Sequence, residues 1–488
     1  MQDITYDVRV HETHVRKGTR VTTYTVRWKV GPKRWSEGFR NKAQSESFRA
    51  SLITAAKNGE AFSLKTGRPT AWQRDEKAIS WYAFSLDYAA AKWPHASPNH
   101  RRGIAEALTD ATEAMLKTHR GAPTREQLRA ALRGWAYSGR LQKQEEAPEG
   151  LAPVLRWLDR NTLDMSELDP EGNGPAVARA VLDRLSSKQN GTPAAGSTAN
   201  RKRMTFNNAM EYACELRILS GNPLKRIKWT KPRTVQALDM RVVVNPEQAT
   251  RLLTAISHQG EQGPRTVAFF AVMYYAALRP EEAVDLRTEH LISLPNEGWG
   301  EMRLTHAEPR SGCRWTNSGK PRDRQPLKHR APGETRPVPI HPELVRILHH
   351  HIEQFKIRPG ARLFVGPRGG IMTDRTYLGI WHKARAEALT TEEAASPLAE
   401  TPYALRHAAV STWLSAGVPP AQVAAWAGHS VDVLLRVYAK CVAGQEDDAK
   451  RRISEATKVA ERLTRTTRTA AVPEEIGPDL DGTAADQL

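Results

Sequence analysis

The chain has 488 residues, enough for two or three domains that each bury a core, and it carries 72 Lys+Arg against 54 Asp+Glu, a formal charge of +18. That excess favours a polyanion such as nucleic acid as partner, most pointedly over residues 201 to 233, where nine Lys/Arg accompany only Glu211 and Glu215. Three widely spaced cysteines, Cys214, Cys313 and Cys441, exclude a disulfide framework or a CxxC zinc site, and no apolar run reaches bilayer-spanning length, so a cytoplasmic protein without a membrane segment is expected.

Residues 4 to 40 alternate β-branched and aromatic residues with polar ones, broken at Lys17-Gly18 and at Gly31-Pro32, which predicts a small three-stranded sheet. The following "NKAQSESFRASLITAAKNG" begins with a capping Asn41, keeps helical spacing and stops at Gly59, a helix to pack on that sheet. From about 77 to 225 the period is helical, with "AISWYAFSLDYAAAKW", "HRRGIAEALTDATEAML", "REQLRAALRGWAY" and "TFNNAMEYACELRILSG" as the clearest segments. "GRLQKQEEAPEG" and "SSKQNGTPAAGSTAN" lack that period and read as loops.

A boundary falls near 240, where "NPEQ" combines a capping Asn245, Pro246 at the first helical position and Gln248 to complete a capping box. The next 200 residues mix helices with short strands such as "GEMRLT", "RPVPI" and "RLFVG". Past Lys440 the pattern weakens, and "PEEIGPDLDGTAADQL", with five acids and no bases, predicts a partly disordered tail.

Within this last stretch, "FFAVMYYAALRPEEAVDL" stops as a helix before Arg279 and resumes after Pro280, which sets Arg279 at a helix-helix corner, within reach of Glu281 or Glu282. "YALRHAAVSTWL" places Tyr403 and Arg406 three apart on one helical face, with His407 adjacent. "AAWAGHSVDVLLRVYAK" breaks at Gly428, presents His429 in the turn and lets Ser430 cap a helix that carries Tyr438. Taken singly, His407 reads as a core histidine and Tyr438 as filler beside Leu434 and Val437; the ordered set Arg-Pro-x-Glu, Leu-Arg-His, Gly-His-Ser and a tyrosine nine residues later is what carries meaning. "HETH" at 11 to 14 lacks metalloprotease spacing, "HHHIEQF" at 349 to 355 reads as a solvated helix face, and "GPRGG" at 366 to 370 as a turn.

With those motifs in place, the segment from about 245 to 445 resembles the catalytic domain of tyrosine recombinases, the phage-type integrase family. The resemblance implies that Arg279 and Arg406 are the two arginines around a scissile phosphate, His429 the second histidine and Tyr438 the nucleophile. It implies Lys328, before the strand-like "RPVPI", as the hairpin lysine, with Lys320 as competitor because the insert "EPRSGCRWTNSGKPRDRQP" lengthens that hairpin. Tyr403 stands where family members most often have histidine, and His407 matches a histidine common in the family.

The fold expected on this resemblance is multidomain and mainly α with small β elements. A sheet-plus-helix domain at 1–65 would bind arm-type DNA, a helical core-binding domain would span 75–230, a mixed α/β catalytic domain 240–445, and a tail 446–488. The function implied is a site-specific recombinase that integrates a phage or mobile element through a 3′-phosphotyrosyl intermediate, without cofactor or metal, acting on double-stranded attachment sites as a tetramer with an excisionase or DNA-bending protein as helper, at the bacterial nucleoid or in the phage-infected cell. A resolvase for plasmid or chromosome dimers and a DNA-binding protein that has lost catalysis remain as alternatives.

Overall fold

A computed structural model describes residues 4–18, 22–70, 72, 79–139, 145–232, 237–328, 330–331, 333–442, 450–455 and 457. The chain divides into two compact units, Met1–Thr234 and Val235–Leu488. Most of the predicted tail lies outside the described residues.

In the first unit, β1 (Ile4–Thr5), β2 (Val8–Val10), β3 (His14–Lys17), β4 (Thr22–Val30) and β5 (Lys33–Phe39) precede α1 (Lys42–Lys57). β4 is the centre of the sheet: β5 runs antiparallel along one side, while β2 and β3 divide the other, so the three predicted strand positions hold four strands. The alternation in β4 buries Val26, Trp28 and Val30 against Leu52 and Ala55 of α1, the period-2 face meeting the period-3.6 stripe. Asn41 caps α1 by accepting from the Ala43 backbone N–H, and β6 (Phe62–Ser63) returns to pair with β1.

Six helices follow: α2 (Trp81–Lys92), α3 (Pro98–Ala114), α4 (Arg125–Ala131), α5 (Ala152–Asn161), α6 (Gly174–Leu185) and α7 (Gly196–Glu215). α7 begins earlier than its sequence suggests, because residues 196–200, expected in a loop, form its first turns. Ala199 already faces the core in register with Phe206, Ala209, Met210 and Ala213, so burial of that stripe extends the helix backward through polar sequence.

The second unit is built around α9 (Gln262–Tyr275), whose Phe269, Phe270, Val272 and Met273 are fully buried. α8 (Pro246–Ser257) opens on the expected Asn245/Gln248 capping box and packs on α9. α10 (Pro280–Asp285) then leads to an antiparallel sheet ordered β11 (Arg336–Ile340), β8 (Gly300–Leu304), β7 (Leu291–Ser293), with β9 (His306–Ala307) and β10 (Gln325–Pro326) pairing across the insert. α11 (Pro342–Gln354), α12 (Asp374–Ala388), α13 (Thr391–Ala395), α14 (Tyr403–Ser415), α15 (Pro420–Ala427) and α16 (Val431–Val442) complete the unit.

The histidine run on α11 departs from its solvated reading. His351 is buried, its Nε2 lies 2.8 Å from the Leu363 carbonyl oxygen, and its ring packs on Phe355 and Phe364, so it is a satisfied core histidine.

Candidate active site

Two chain turns converge to build the site. α9 ends at Ala276, and Ala277 adopts a left-handed backbone (φ 53), unusual for a residue with a side chain, before Arg279 initiates α10. The Glu282 carboxylate accepts from the Arg279 backbone N–H at 2.8 Å and from its Nη1 at 2.7 Å, so the sequence's Arg-Pro-x-Glu fixes both the helix start and the arginine. α15 ends on left-handed Gly428 (φ 67), where a Cβ would stand 2.3 Å from Arg336 Nη1, so a side chain there would displace an arginine.

Five of the six expected site residues, Arg279, Tyr403, Arg406, His429 and Tyr438, come together around these turns. Arg406, on α14 and fully buried, donates to the carbonyls of Ala277 and Ala427 and, through Nη2, to His429 Nε2 at 2.8 Å. Arg279 donates to the Gly428 carbonyl at 2.7 Å. Ser430 caps α16 by accepting from the Val433 N–H, and this helix carries Tyr438, only 1% exposed, to His407 of α14, with 2.7 Å between Tyr438 Oη and His407 Nδ1. Tyr403 lies one turn before His407, its ring 5.8 Å from the Arg406 guanidinium carbon, a cation–π contact.

Arg336 belongs to the same cluster and was missed from sequence. It bonds both Glu282 oxygens, Nη1 to Oε1 at 2.8 Å and Nη2 to Oε2 at 2.7 Å, and is 1% exposed. The signal was the alternation in "RPVPI": Arg336, Val338 and Ile340 face inward while Pro337 and Pro339 do not, which puts a guanidinium on a core-facing register.

Lys328 is not brought into this cluster. It stands exposed in the turn after β10, and Lys320 is exposed within the insert. Lys320 precedes β10 and Lys328 lies between β10 and β11, both outside the paired residues.

The electrostatics are lopsided. Three buried arginines, Arg279, Arg336 and Arg406, surround one buried carboxylate, Glu282, leaving an excess of positive charge. Burial alone would raise the Glu282 pKa, yet Arg336 and Arg279 pull it far below the carboxylate range. Arg406 is shifted down by its burial and by Arg279. Burial first, then Arg406, lowers His407 to about 4 and His429 to about 3, so both imidazoles are neutral near pH 7. Among the described residues, the buried Nε of Arg336, Nε of Arg406 and Nδ1 of His429 have no hydrogen-bond partner. A guanidinium can only donate, so His429 Nε2 accepts from Arg406 and its proton sits on the unpartnered Nδ1. The cluster thus offers spare donors and spare positive charge beside a tyrosine hydroxyl, suited to an oxyanion that the chain itself does not supply.

Residues 243–443 match the model of the phage integrase family. That match covers less than half of the chain. Solved structures it is similar to include the Tn1549 transposon integrase (residues 82–397) in complex with circular intermediate DNA, at 18% identity over 65% of this chain and 97% of that one, TM-score 0.44. The XerH site-specific recombinase bound to palindromic difH substrate is 13% identical over 75% and 97% of the two chains, TM-score 0.38. The lambda integrase (residues 75–356) bound to DNA is 10% identical over 53% and 78%, TM-score 0.34. The comparison with curated proteins gives no match. No helix among the described residues is long and apolar enough to cross a membrane.

Proposed function

We propose that this chain is the integrase of a phage or mobile element, which cleaves and rejoins double-stranded attachment sites through a 3′-phosphotyrosyl link on Tyr438. The observation that carries this reading is the uncompensated charge of Arg279, Arg336 and Arg406, with unpartnered buried donors, beside the Tyr438 hydroxyl. A phosphodiester supplies the missing anion, and its non-bridging oxygens gain charge as the phosphorus becomes five-coordinate, when preorganised donors stabilise most. Arg406 and Arg279 are placed by backbone carbonyls and Glu282 rather than by mobile partners, so little reorganisation is needed when the phosphate arrives.

In the step proposed, Tyr438 Oη bonds to phosphorus and loses its proton while the bond to the 5′ oxygen breaks and that oxygen gains a proton. His429, through its unpartnered Nδ1–H, is the proposed donor to the leaving oxygen, with Lys328 on its exposed turn as the other candidate. The phosphoester bond is kept in the tyrosine adduct, so rejoining needs no external energy source.

The rest of the chain follows from this reading. The sheet and helix of residues 1–65 would bind arm-type DNA, and the helical residues 75–230 would clamp the core site, with the basic stretch 201 to 233 near phosphates. A tetramer on two paired sites, helped by an excisionase or DNA-bending protein, would complete the exchange. Incubation of the full chain with a nicked duplex from DNA flanking its gene tests the chemistry: wild type gives a protease-sensitive covalent band on a denaturing gel and Tyr438→Phe gives none. No band from wild type on DNA it demonstrably binds would favour a binder without catalysis.

A further inference from the structure

Tyr438 occupies a break in α16, with φ −109 and ψ 21 inside an otherwise helical run, so its side chain is not aimed by helix geometry alone. A file of four rings aims it instead. Tyr403 and His407 stand 5.0 Å apart with planes at 66°, His407 and Tyr438 5.7 Å apart at 51°, and Tyr438 and His429 6.2 Å apart at 27°. The first two rings are i and i+4 on α14, so one rigid helix sets their spacing. His429, at the far end, is anchored by Arg406 from that same helix.

Within this file Tyr438 Oη approaches His407 Nδ1 to 2.7 Å. A phenolic C–O bond rotates its proton freely unless an acceptor fixes it. With that proton directed at Nδ1, the lone pairs of Oη are turned away from His407. We propose that His407, braced by the Tyr403 ring, is the positioning residue that fixes the Tyr438 hydroxyl for attack on the phosphate; this rests on the reading of Tyr438 as nucleophile. The same geometry gives Tyr403 a task that a phenol performs as well as an imidazole: an aromatic edge against His407, with no proton to carry. Burial and the neighbouring Arg406 make His407 a weak base, which fits orientation of the hydroxyl better than storage of its proton.

The test is single-turnover adduct formation by the full chain on a nicked duplex from the DNA flanking its gene, chosen because the protein retards it in a native gel. His407→Phe keeps a ring and removes the acceptor. It is expected to slow adduct formation by about 10 to 100-fold, the cost of a misplaced reacting group, with gel retardation as in wild type. His407→Asn puts an oxygen where Nδ1 stands and is expected to recover most of that rate, and Tyr403→Phe to stay within about 3-fold of wild type because only the ring edge is needed. Recovery by Asn is a result that general loss of packing would not give. An unchanged rate in His407→Phe overturns the inference, as does a faster one, which would make the contact a restraint on the tyrosine, or an Asn variant no better than Phe. No adduct from wild type on the retarded duplex overturns the reading of Tyr438 together with this inference.

Discussion

Two clusters of arginine and carboxylate in this chain have opposite meanings. In the helical part of the first unit, Asp110 accepts from Arg129 at 2.6 Å, Lys202 at 2.6 Å and Arg184 at 3.2 Å, while Glu113 accepts from Arg125, Arg129 and Arg184. That cluster borders a cavity of about 290 Å³, which Glu106 also lines, but Arg129, Arg184 and Lys202 there already have carboxylate partners. Around Glu282 one carboxylate serves three arginines, and two of their Nε atoms are buried without a partner. The first arrangement is closed and joins helices; the second is open and lacks an anion. Arginine content does not separate them, whereas the balance of charge and the unspent donors do.

The largest effect that would test this contrast is on cleavage. Arg406→Lys keeps the charge but loses the fork that holds Ala277, Ala427 and His429 together, and adduct formation is expected to fall by about 10² to 10³-fold. Arg184→Lys in the closed cluster should stay within about 3-fold, since Arg129 still serves both of its acids. Equal losses in the two variants, measured by single-turnover kinetics, would erase the distinction.

Stability gives the next contrast. Arg336→Met strips the bidentate partner from fully buried Glu282 and should cost about 3 kcal/mol in a denaturant titration. Lys202→Met leaves Asp110 with two arginines and should cost about 1 kcal/mol. The reverse order would mean that Glu282 does not depend on Arg336.

The smallest effect is a pH dependence. An imidazole in the unfolded chain binds its proton near 6.5, but folded His407 does so only near 4, so between those values the unfolded chain takes up a proton that the fold refuses. Stability from this group is present above 6.5 and declines as pH falls toward 4. His407→Asn lacks the penalty, so its Tm deficit relative to wild type is expected to shrink between pH 7 and pH 5. A deficit that grows over that interval would place a charged imidazole in the fold.

Much of this was legible in the sequence where the determinants are local. The Asn245/Gln248 capping box, the corner at Arg279-Pro280, the break at Gly428 and the cap at Ser430 each follow from neighbouring residues. The pairing of Arg279 with Glu282 was one of two stated options, since both acids lie within a turn of the arginine. Arg336 was not found, because its partner lies 54 residues away and a charged residue opening a strand ordinarily faces water. The start of α7 and the burial of His351 were misread for a related reason: polar letters hide a core-facing position when tertiary packing supplies the partners. The hydrogen bond between His407 and Tyr438 joins two helices and has no trace in local spacing.

The measurement that bears most directly on the central claim is the site of attachment. The covalent complex formed on the nicked duplex, digested with trypsin, should carry its nucleotide on the peptide Val437-Tyr438-Ala439-Lys440 as a 3′-phosphate ester of the tyrosine. Attachment at any other residue, Tyr403 included, would contradict the assignment of Tyr438 as nucleophile and of the open arginine cluster as its phosphate clamp.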